Sequence, residues 1–474
     1  MPDGHMPGKR VVIVGAGISG LSAAYDLSRA GVHATVFDRQ PRAGGVIDTR
    51  IAEGCTLECG PDSFLSAKPE AVALIKELGF GEDVIGSNDH QRTTYILKHG
   101  RLVALPEGVM MIVPSRVMPM VKTSLVGWGT KIRMGLEYFR GPQNTGDRSV
   151  ADFVADHFGA ETLDYLAEPL LSGVYGGDPA QLSIASVLPR FLEMEKKYGS
   201  LVKGVLAARS HAPARRGGAS APLFQTLKTG LGKLVDALAS YAEIAHAQVE
   251  AIERGGSKEG SGFRVRIAGG DAGDWVTADH VVLACPAWAA GQLVSGIDGN
   301  GIDGRLGELL SGIDYSSSVT LSLIYKASDF DGRRAGFGFL VPKKERQRLA
   351  ACTFVGTKFS YRVPDDRIAL RCFFGGIGDA AILNESDESL VAIARDELTR
   401  ILGLRAAPAS HVIARWPRSM AQYTVGHGPR VAEIRQRAAA IGGLYLAGNA
   451  YEGIGISDCI RTGRAAAKAI IAAT

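Results

Sequence analysis

The fold of this chain is decided by residues 11–20, which read Val-Val-Ile-Val-Gly-Ala-Gly-Ile-Ser-Gly. Four consecutive apolar residues are typical of a strand buried in a parallel sheet. The glycines that follow have the pattern Gly-x-Gly-x-x-Gly, and apolar residues then recur at helical spacing from Leu21 to Leu27. A second apolar run, Ala34–Phe37, ends at Asp38. The stretch therefore predicts a βαβ unit whose first turn binds a dinucleotide.

The residues of this turn have separate physical roles in the prediction. Gly15 allows the tight turn, Gly17 lets the backbone approach a pyrophosphate, and Gly20 lets the helix pack closely on the strand. The other members of the turn are Ala16, Ile18 and Ser19. The free N–H groups and the dipole of the helix would face the anion. Asp38 follows Gly15 by 23 residues, and its carboxylate can accept hydrogen bonds from a ribose diol.

Further glycine-rich turns lie near both ends of the chain. Residues 42–45 read Arg-Ala-Gly-Gly, and residues 60–63 read Gly-Pro-Asp-Ser. A third turn, residues 448–458, connects a predicted strand to the predicted last helix. Its N–H groups would point at whatever occupies the turn. A site built from both ends of the chain predicts a long cofactor that is buried across one domain.

The composition excludes several classes of protein. A chain of 474 residues suggests two or three domains, and 46% hydrophobic with 22% charged residues excludes a disordered chain. The net charge of +4 is too small to indicate nucleic-acid binding. The six cysteines show no C-x-x-C spacing, which argues against a disulfide scaffold or a zinc ribbon. We expect a cytoplasmic protein with no secretory signal and no membrane span, because no apolar stretch is long enough.

The middle of the chain has a different character. Residues 102–139 hold five of the nine methionines and three prolines. Two helical patterns follow at residues 150–171 and 187–207, and a basic run follows these. We interpret residues 102–218 as an inserted, mostly helical region, whose methionines fill a core, line a substrate channel or face a membrane. Apolar runs with glycine breaks between residues 319 and 374 predict an antiparallel sheet.

Several of these stretches carry a family resemblance. Residues 11–25, 38–45, 60–65 and 446–467 resemble the FAD-binding segments of the flavin oxidases that include amine oxidases and phytoene desaturases. Residues 60–64, 172–184 and 446–455 are more specifically similar to the oxygen-dependent porphyrinogen oxidases of heme synthesis. The similarity runs over nearly the whole chain. It implies noncovalent FAD and an oxidase that converts a porphyrinogen to a porphyrin.

The resemblance also implies an architecture. The fold class would be α/β: an FAD-binding Rossmann-like domain (GR2-type), an α+β substrate domain and an inserted helical region. We expect the FAD-binding domain at residues 9–95, 219–290 and 425–474. The helical region, which would associate with a membrane, is expected at residues 96–218. The substrate domain with its antiparallel sheet would be formed by residues 291–424.

Cofactor contacts follow from the matching positions of the family. The phosphates would lie over residues 15–20. At the adenosine ribose and just beyond it, the resemblance implies Asp38, Arg39, Arg42, Gly44, Gly45 and Val46. On the isoalloxazine side it implies Gly60, Pro61, Asp62, Ser63, Gly448, Ile454, Gly455 and Ile456. The backbone of Val249 would contact adenine, and Trp416 would contact the flavin.

The substrate contacts are implied in the same way. Leu340, Thr353 and Phe373 match the residues that sandwich the tetrapyrrole, although each could equally belong to an ordinary sheet core. Thr94 stands where several family members carry an arginine that pairs with a propionate. Cations that could replace this arginine are Arg92, Lys98, Lys196, Lys197, Lys203, Arg209, Arg215 and Arg216. No catalytic side chain and no metal is expected, because the flavin accepts the hydride and passes the electrons to O₂.

The sequence leaves the substrate open. Protoporphyrinogen IX is the favoured substrate, and coproporphyrinogen III, with four carboxylates in place of two, is the nearest alternative. A flavin amine oxidase, a carotenoid desaturase and a flavin-holding protein without turnover are more distant alternatives. The expected partners are the tetrapyrrole and O₂, with peripheral contact to the inner face of a membrane and transfer of product to a chelatase. No nucleic acid is expected, and the chain could be a monomer or a dimer.

Overall fold

The N-terminal βαβ unit lies at the centre of a parallel sheet. The computed structural model describes residues 9–110, 112–114, 116–210, 222–255, 262–268, 275–296, 301–330 and 335–473. The five strands of the sheet, in spatial order, are Glu243–Ala245, Ala34–Phe37, Val11–Val14, His280–Leu283 and Leu444–Leu446. All neighbours run parallel. The α/β fold class is therefore confirmed.

The first and last helices of the chain come into close contact at Gly463. Helix Ile18–Arg29 follows the glycine turn, and helix Ile456–Ala473 ends the described chain. A Cβ atom on Gly463 would lie only 2.0 Å from the carbonyl oxygen of Ser19. The two helices therefore approach backbone to backbone. This contact brings the C-terminal glycine turn beside the N-terminal one.

A larger sheet forms the second half of the molecule. Its seven strands, in spatial order, are Ser410–Ala421, Tyr315–Lys326, Arg367–Gly376, Leu349–Phe354, Gly338–Leu340, Thr94–Lys98 and Arg101–Ala104. Neighbours are antiparallel except for Gly338–Leu340 beside Thr94–Lys98. One face buries an apolar core with helix Asp387–Leu402. The opposite face is therefore available to the cofactor domain.

The start of the helical region, expected at residue 96, falls inside a strand of this sheet. We expected residues 96–104 in the helical region, yet they belong to a hairpin whose strands are Thr94–Lys98 and, at the edge of the sheet, Arg101–Ala104. The hairpin turns at His99 and Gly100, which both have positive φ. Strand Ser410–Ala421 was not predicted, because its side chains are mostly half-buried and it contains Pro417. The other domain boundaries remain predictions.

The predicted long helices of the inserted region are divided into shorter ones. Gly159 has φ 88° and ends helix Val150–Phe158. Gly199 has φ 73° and ends helix Pro189–Tyr198. The remaining helices here are Val117–Lys122, Trp128–Leu136, Ala160–Thr162, Leu163–Ala167, Glu168–Tyr175, Ile184–Val187 and Leu201–Ser210, with the single turn Glu137–Phe139. Met120 and Met134 fill the core, whereas Met118 is exposed. Met111, Arg215 and Arg216 lie outside the described residues, as does the side chain of Arg209.

Smaller elements complete the fold. The additional strands are Thr49–Ala52, Cys55–Glu58, Phe64–Leu65, Val84–Gly86, Val109–Met110, Val113–Pro114, Phe224–Leu227, Val249–Arg254, Phe263–Ile267 and Trp275–Ala278. The additional helices and turns are Glu70–Glu77, Gly81–Asp83, Asp89–Gln91, Gly232–Ala239, Ala287–Ser295, Gly304–Ser311, Ala327–Asp329, Val355–Lys358, Ala380–Asn384 and His427–Ile441.

A buried cluster of charges joins the short helices of the inserted region. The ring nitrogens Nδ1 and Nε2 of His157 lie 2.9 Å from Glu137 Oε1 and 3.1 Å from Glu195 Oε1. All three side chains are almost fully buried. Each ring nitrogen thus lies within hydrogen-bond distance of a carboxylate oxygen. Arg148 also donates to Glu195, at 2.5 Å. These contacts join the imidazole and the two carboxylates into one hydrogen-bonded network inside the helical region.

Replacement of Glu137 should strongly destabilise this region. Burial raises the pKa of Glu137, but hydrogen bonds from His157, from Ser200 and from two backbone amides outweigh burial and lower it. Glu137→Gln removes a carboxylate from this buried hydrogen-bonded network, which should cost about 3–5 kcal/mol of unfolding free energy at pH 7. Because the folded pKa is depressed, this contribution is present above pH ~4.3 and is lost as the pH falls below it. Urea unfolding at pH 7 and at pH 3 measures both effects.

The matched control for this prediction is Glu107→Gln. Glu107 pairs with Arg116, but its side chain is 82% exposed. Its replacement should therefore change the unfolding free energy by less than about 0.5 kcal/mol. Equal effects of the two substitutions would contradict the view that the His157 cluster holds the helical region together.

Candidate cofactor and substrate site

The glycine turns predicted from the sequence lie against one another. The amide of Gly44 donates to the carbonyl of Ala16 at 2.8 Å. A Cβ on Gly45 would lie 3.2 Å from the Cα of Gly17. A Cβ on Gly60 would lie 1.7 Å from the carbonyl oxygen of Val46. These turns therefore need glycine so that three loops can stack backbone on backbone.

Gly17 differs from the other glycines of the turn. A Cβ on Gly15 would lie 2.8 Å from the carbonyl oxygen of Ala284, and a Cβ on Gly20 would lie 2.0 Å from that of Gly15. Among the described residues, apart from Gly17 and its chain neighbours, no atom lies within 4 Å of the Cβ position at Gly17. Within the described chain, helix Ile18–Arg29 also has no side-chain cap at its N-terminus. Open space in front of uncapped amides fits the pyrophosphate of a dinucleotide.

Asp38 lies directly beside this open space. Its Oδ2 accepts a hydrogen bond from the amide of Ala16 at 2.7 Å, and its Oδ1 accepts one from the amide of Gln40 at 2.8 Å. The carboxylate is therefore held in one orientation against the glycine turn. Each oxygen retains a second lone pair, so the group can still accept hydrogen bonds from a ribose diol.

The residues expected at the adenosine end of the cofactor include neighbours of Asp38. The amide of Asp38 donates to the carbonyl of Ala245 at 3.1 Å, and Val249 follows a few residues later as a buried strand residue. Arg39 is exposed, and its guanidinium lies 5.8 Å from the ring of Trp288. Arg42 instead folds back onto its own loop and donates to three backbone carbonyls. Its guanidinium thus orders the loop that includes Gly45 and the exposed Val46.

The C-terminal turn is fixed by side chains from other parts of the chain. The hydroxyl of Tyr423 donates to the carbonyl of Asn449 and accepts from the amide of Gly453, both at 2.8 Å. Asp458 accepts two hydrogen bonds from Lys68, at 2.6 and 2.7 Å. Residues of the turn implied in flavin binding are Gly448, Ile454, Gly455 and Ile456. Gly448 has open space around its Cβ position, as Gly17 does.

The segment of residues 59–63 connects the two halves of the molecule. The carbonyl of Cys59 accepts hydrogen bonds from Trp416 Nε1 at 2.8 Å and from Thr320 Oγ1 at 2.6 Å. Both donors belong to the larger sheet. Asp62 accepts from Lys358 at 2.7 and 3.0 Å and from Ser63 at 2.6 Å. Trp416 therefore lies next to the turn, Gly60-Pro61-Asp62-Ser63, that was implied on the isoalloxazine side.

The predicted substrate residues occupy two neighbouring rows on one face of the larger sheet. In the first row, Phe373 pairs with Ala351, which pairs with Leu340. In the second row, Thr353 pairs with Gly338, which in turn pairs with Thr94. Residues directly opposite each other in a sheet share a face. Leu340, Thr353, Phe373 and Thr94 thus share the face that is turned away from the apolar core.

This face is bounded by the inserted region and by the cofactor domain. A Cβ on Gly173 of helix Glu168–Tyr175 would lie 3.3 Å from a terminal methyl of Leu340. The guanidinium of Arg371 lies 4.7 Å from the ring of Phe373 and donates to the carbonyl of Gly60. Leu340, Thr353 and Phe373 are only half-buried. The face therefore lies between the helix Glu168–Tyr175 on one side and the turn of residues 60–63, which we call the flavin turn, on the other.

Several residues of the site were missed by the sequence interpretation. Lys358, Arg371 and Tyr423 are polar groups that contact the predicted cofactor turns from distant parts of the chain. Of these three, only Arg371 could have been found from the local sequence. It precedes Phe373 by two residues in a predicted strand, so both side chains lie on the same face. Of the cations considered near Thr94, Lys98 is engaged by Glu161 and a backbone carbonyl. Arg92 is exposed.

One group of side chains has the spacing of a metal site. Asp156, His157 and Glu195 bring three ligand atoms within 4.8 Å of one another. Both ring nitrogens of His157 are already hydrogen-bonded to carboxylates. A metal would have to displace one of these bonds. The geometry is that of the buried ion-pair cluster described above, and we assign no metal to it.

The chain belongs to the family of flavin containing amine oxidoreductases, which matches residues 18–471. It is 31% identical to the coproporphyrinogen III oxidase of Bacillus subtilis (strain 168), covering 98% of each chain. It is 24% identical to the mitochondrial protoporphyrinogen oxidase of Nicotiana tabacum, covering 99% of this chain and 96% of that one. A solved structure from Exiguobacterium sp. 255-15, provisionally assigned as a protoporphyrinogen oxidase, is 30% identical and has a TM-score of 0.84 over 98% of this chain and 99% of that one.

FAD is the cofactor of this family, and the glycine turns have the space for it. Cys459, just after the C-terminal turn, is a poor candidate for a covalent flavin link. Burial raises the pKa of its thiol to about 12, so the reactive thiolate is scarcely populated at neutral pH. This supports the prediction that the cofactor is held without a covalent bond.

Gly17→Val should abolish FAD binding while leaving the fold intact. The backbone at Gly17 has φ −73°, which valine can adopt, and the Cβ position is free of protein atoms. The branched side chain would occupy the space of the pyrophosphate. We expect a folded protein without the flavin absorbance near 450 nm, measured by visible spectroscopy and circular dichroism. Gly304→Val, at the start of another helix with free space, is the matched control and should stay yellow. Full flavin occupancy in folded Gly17→Val would contradict the assigned phosphate site.

Proposed function

We propose that the chain oxidises a porphyrinogen to the corresponding porphyrin with O₂ as electron acceptor, and that its substrate is coproporphyrinogen III. The observation that carries this proposal is the half-buried sheet face of Leu340, Thr353 and Phe373 beside the flavin turn. A flat macrocycle offers such a face a large apolar area. The choice of substrate is supported by the B. subtilis relative, which is named coproporphyrinogen III oxidase and is more similar than the tobacco protoporphyrinogen oxidase. Protoporphyrinogen IX, favoured by the sequence analysis alone, becomes the alternative.

The chain's own residues bind and orient the reactants. Bound FAD supplies a hydride acceptor and an outlet for electrons to O₂. The rows of Phe373 and Thr353 would hold the macrocycle with one face toward the flavin turn. Gly60 to Ser63 would keep the flavin in place through the pairing of Asp62 with Lys358. Burial raises the pKa of Asp62, but the charges of Lys358 and Arg371 outweigh burial and hold that pKa well below its usual range. The carboxylate therefore stays ionised over the working pH range.

An amine oxidase is the second candidate, because the family carries that description. Such an enzyme would need aromatic rings with free faces to hold the amine. Tyr423 stacks on His427 with ring centroids 4.0 Å apart, and its hydroxyl fixes the C-terminal turn. Tyr451 is only 5% exposed. These two tyrosines are therefore occupied by packing, which favours the porphyrinogen over an amine.

Phe373→Ala should raise KM for coproporphyrinogen III while FAD stays bound. The ring faces the proposed macrocycle, and its loss removes about 0.5–1.5 kcal/mol of aromatic contact in addition to buried area. We expect KM to rise about fivefold or more, measured by porphyrin fluorescence in air. Phe374→Leu, on the opposite face in the apolar core, is the control and should leave KM unchanged. An unchanged KM for Phe373→Ala would show that the substrate does not bind at this face.

We also propose peripheral contact with a membrane, made by an apolar ridge of Trp128, Ile132, Leu136 and Phe139. The first three share one face of helix Trp128–Leu136, and all four are 61–77% exposed. Lys131 lies 4.6 Å from the Trp128 ring, and Lys203 lies 5.2 Å from the neighbouring Tyr138 ring. Within the described ranges, the helices are too short or too polar to traverse a bilayer. The ridge therefore fits contact with the surface of an anionic bilayer.

The ridge can be tested with the variant Trp128→Ser/Phe139→Ser. This variant loses exposed apolar area, so the fraction that sediments with vesicles containing anionic lipid should fall about tenfold. Added salt should weaken the binding of the wild-type protein to the same vesicles. Ile51→Ser is the control, because Ile51 is 66% exposed on a hairpin remote from the ridge in sequence. Equal binding by both variants would contradict the proposed surface. Transfer of product to a chelatase and the oligomeric state remain predictions.

A further inference from the structure

A group of buried and half-buried charges adjoins the substrate face, and its cations outnumber its carboxylates. Lys358 pairs with Asp62 at 2.7 Å, and Arg362 pairs with Glu58 at 2.9 Å. Arg371 is the third cation. The carboxylate oxygen recorded nearest to its guanidinium is Oδ2 of Asp62, 3.8 Å away and beyond hydrogen-bond distance. Asp62 is therefore shared by Lys358 and Arg371, and of these three cations Arg371 lies farthest from a carboxylate.

Arg371 is also incompletely hydrogen-bonded. Its side chain is 4% exposed. One terminal nitrogen donates to the carbonyl of Gly60, and Nε has no hydrogen-bond partner within the described ranges. Burying a charged group without a partner is costly, because water no longer solvates it. The arrangement would be relieved by an anion that arrives with a ligand.

The position of Arg371 indicates where that anion would lie. Arg371 pairs with Thr353 in the sheet, and its guanidinium lies over the ring of Phe373. Phe373 is close to the end of this strand at Gly376. The row of Arg371 continues through Gly338 to Thr94, three strand spacings or about 14 Å away. Arg371 and Thr94 therefore lie toward opposite ends of the proposed substrate face. A macrocycle stacked on Phe373 would bring its rim to Arg371.

We propose that Arg371 binds a carboxylate on the rim of the porphyrinogen and thereby selects substrates with a free carboxylate at that end. This inference rests on the proposed function. A guanidinium donates two parallel hydrogen bonds to a carboxylate, which suits recognition of a propionate better than a single ammonium does. Coproporphyrinogen III carries a propionate on each of its four pyrroles, so it presents one to Arg371 wherever the others lie. Arg371 would provide the carboxylate-binding arginine that this chain lacks at the position of Thr94.

The experiment compares free acids with esters. KM and kcat are measured for coproporphyrinogen III and for its tetramethyl ester, with wild-type holoenzyme and the variants Arg371→Met, Arg371→Lys and Arg348→Met. Arg348 is the control, because its charge is matched by Asp379 and Glu385 in the same sheet domain. The midpoint potential of the flavin is recorded for each variant.

The proposal predicts a difference that depends on the carboxylate. Wild-type KM should be about tenfold lower for the acid than for the ester, since only the free carboxylate can accept charge-assisted hydrogen bonds from Arg371. Arg371→Met should raise KM for the acid about tenfold more than KM for the ester, so that the variant no longer distinguishes the two. Arg371→Lys should have a smaller effect, and Arg348→Met should have none.

Other outcomes separate the possible failures. If wild type does not distinguish acid from ester, Arg371 does not bind a rim carboxylate, even if no Arg371 variant folds. If Arg371→Met slows acid and ester equally and lowers the flavin potential, Arg371 serves the reduced flavin, and the proposal is wrong. If wild type turns over neither porphyrinogen although it binds FAD, the proposed function fails and this inference fails with it.

Discussion

The site depends on backbone contact between the first and the last helix. Gly463 approaches the carbonyl of Ser19 so closely that any side chain would force the helices apart. Gly20 approaches Gly15 in the same way inside the first turn. These contacts hold two helix N-termini, at Ile18 and Ile456, next to each other. A pyrophosphate at one and a flavin ring at the other can therefore be held by parts of the chain that are more than 400 residues apart.

The second constraint is the contact between the cofactor turn and the larger sheet. Cys59 and Gly60 offer their carbonyls to Trp416, Thr320 and Arg371, which all lie in that sheet. These bonds fix the turn of residues 60–63 against the proposed substrate face. A helix of the inserted region also lies against this face, near Leu340. The candidate site therefore has walls from three parts of the sequence.

Much of the cofactor site was predictable from sequence because its signals are local. The turn at Gly15 to Gly20 and the acid Asp38 belong to one βαβ unit, where spacing alone implies the geometry. The pair of Lys358 and Asp62 could not be found in this way, because its partners are 296 residues apart. The place of strands Thr94–Lys98 and Arg101–Ala104 in the larger sheet was not predicted for the same reason, since the first of them pairs with Gly338–Leu340. Long-range pairing is set by the packing of the whole fold.

The most direct test of the account is oxidation of coproporphyrinogen III in air by the purified yellow protein, compared with oxidation of protoporphyrinogen IX. Porphyrin fluorescence gives kcat/KM for each substrate. The account predicts turnover of both macrocycles, with kcat/KM for coproporphyrinogen III higher by about tenfold or more, or about 1.4 kcal/mol in transition-state binding. Absence of porphyrin formation by the FAD-loaded protein would contradict the assignment of the sheet face to a tetrapyrrole. A preference for protoporphyrinogen IX would contradict the choice of substrate.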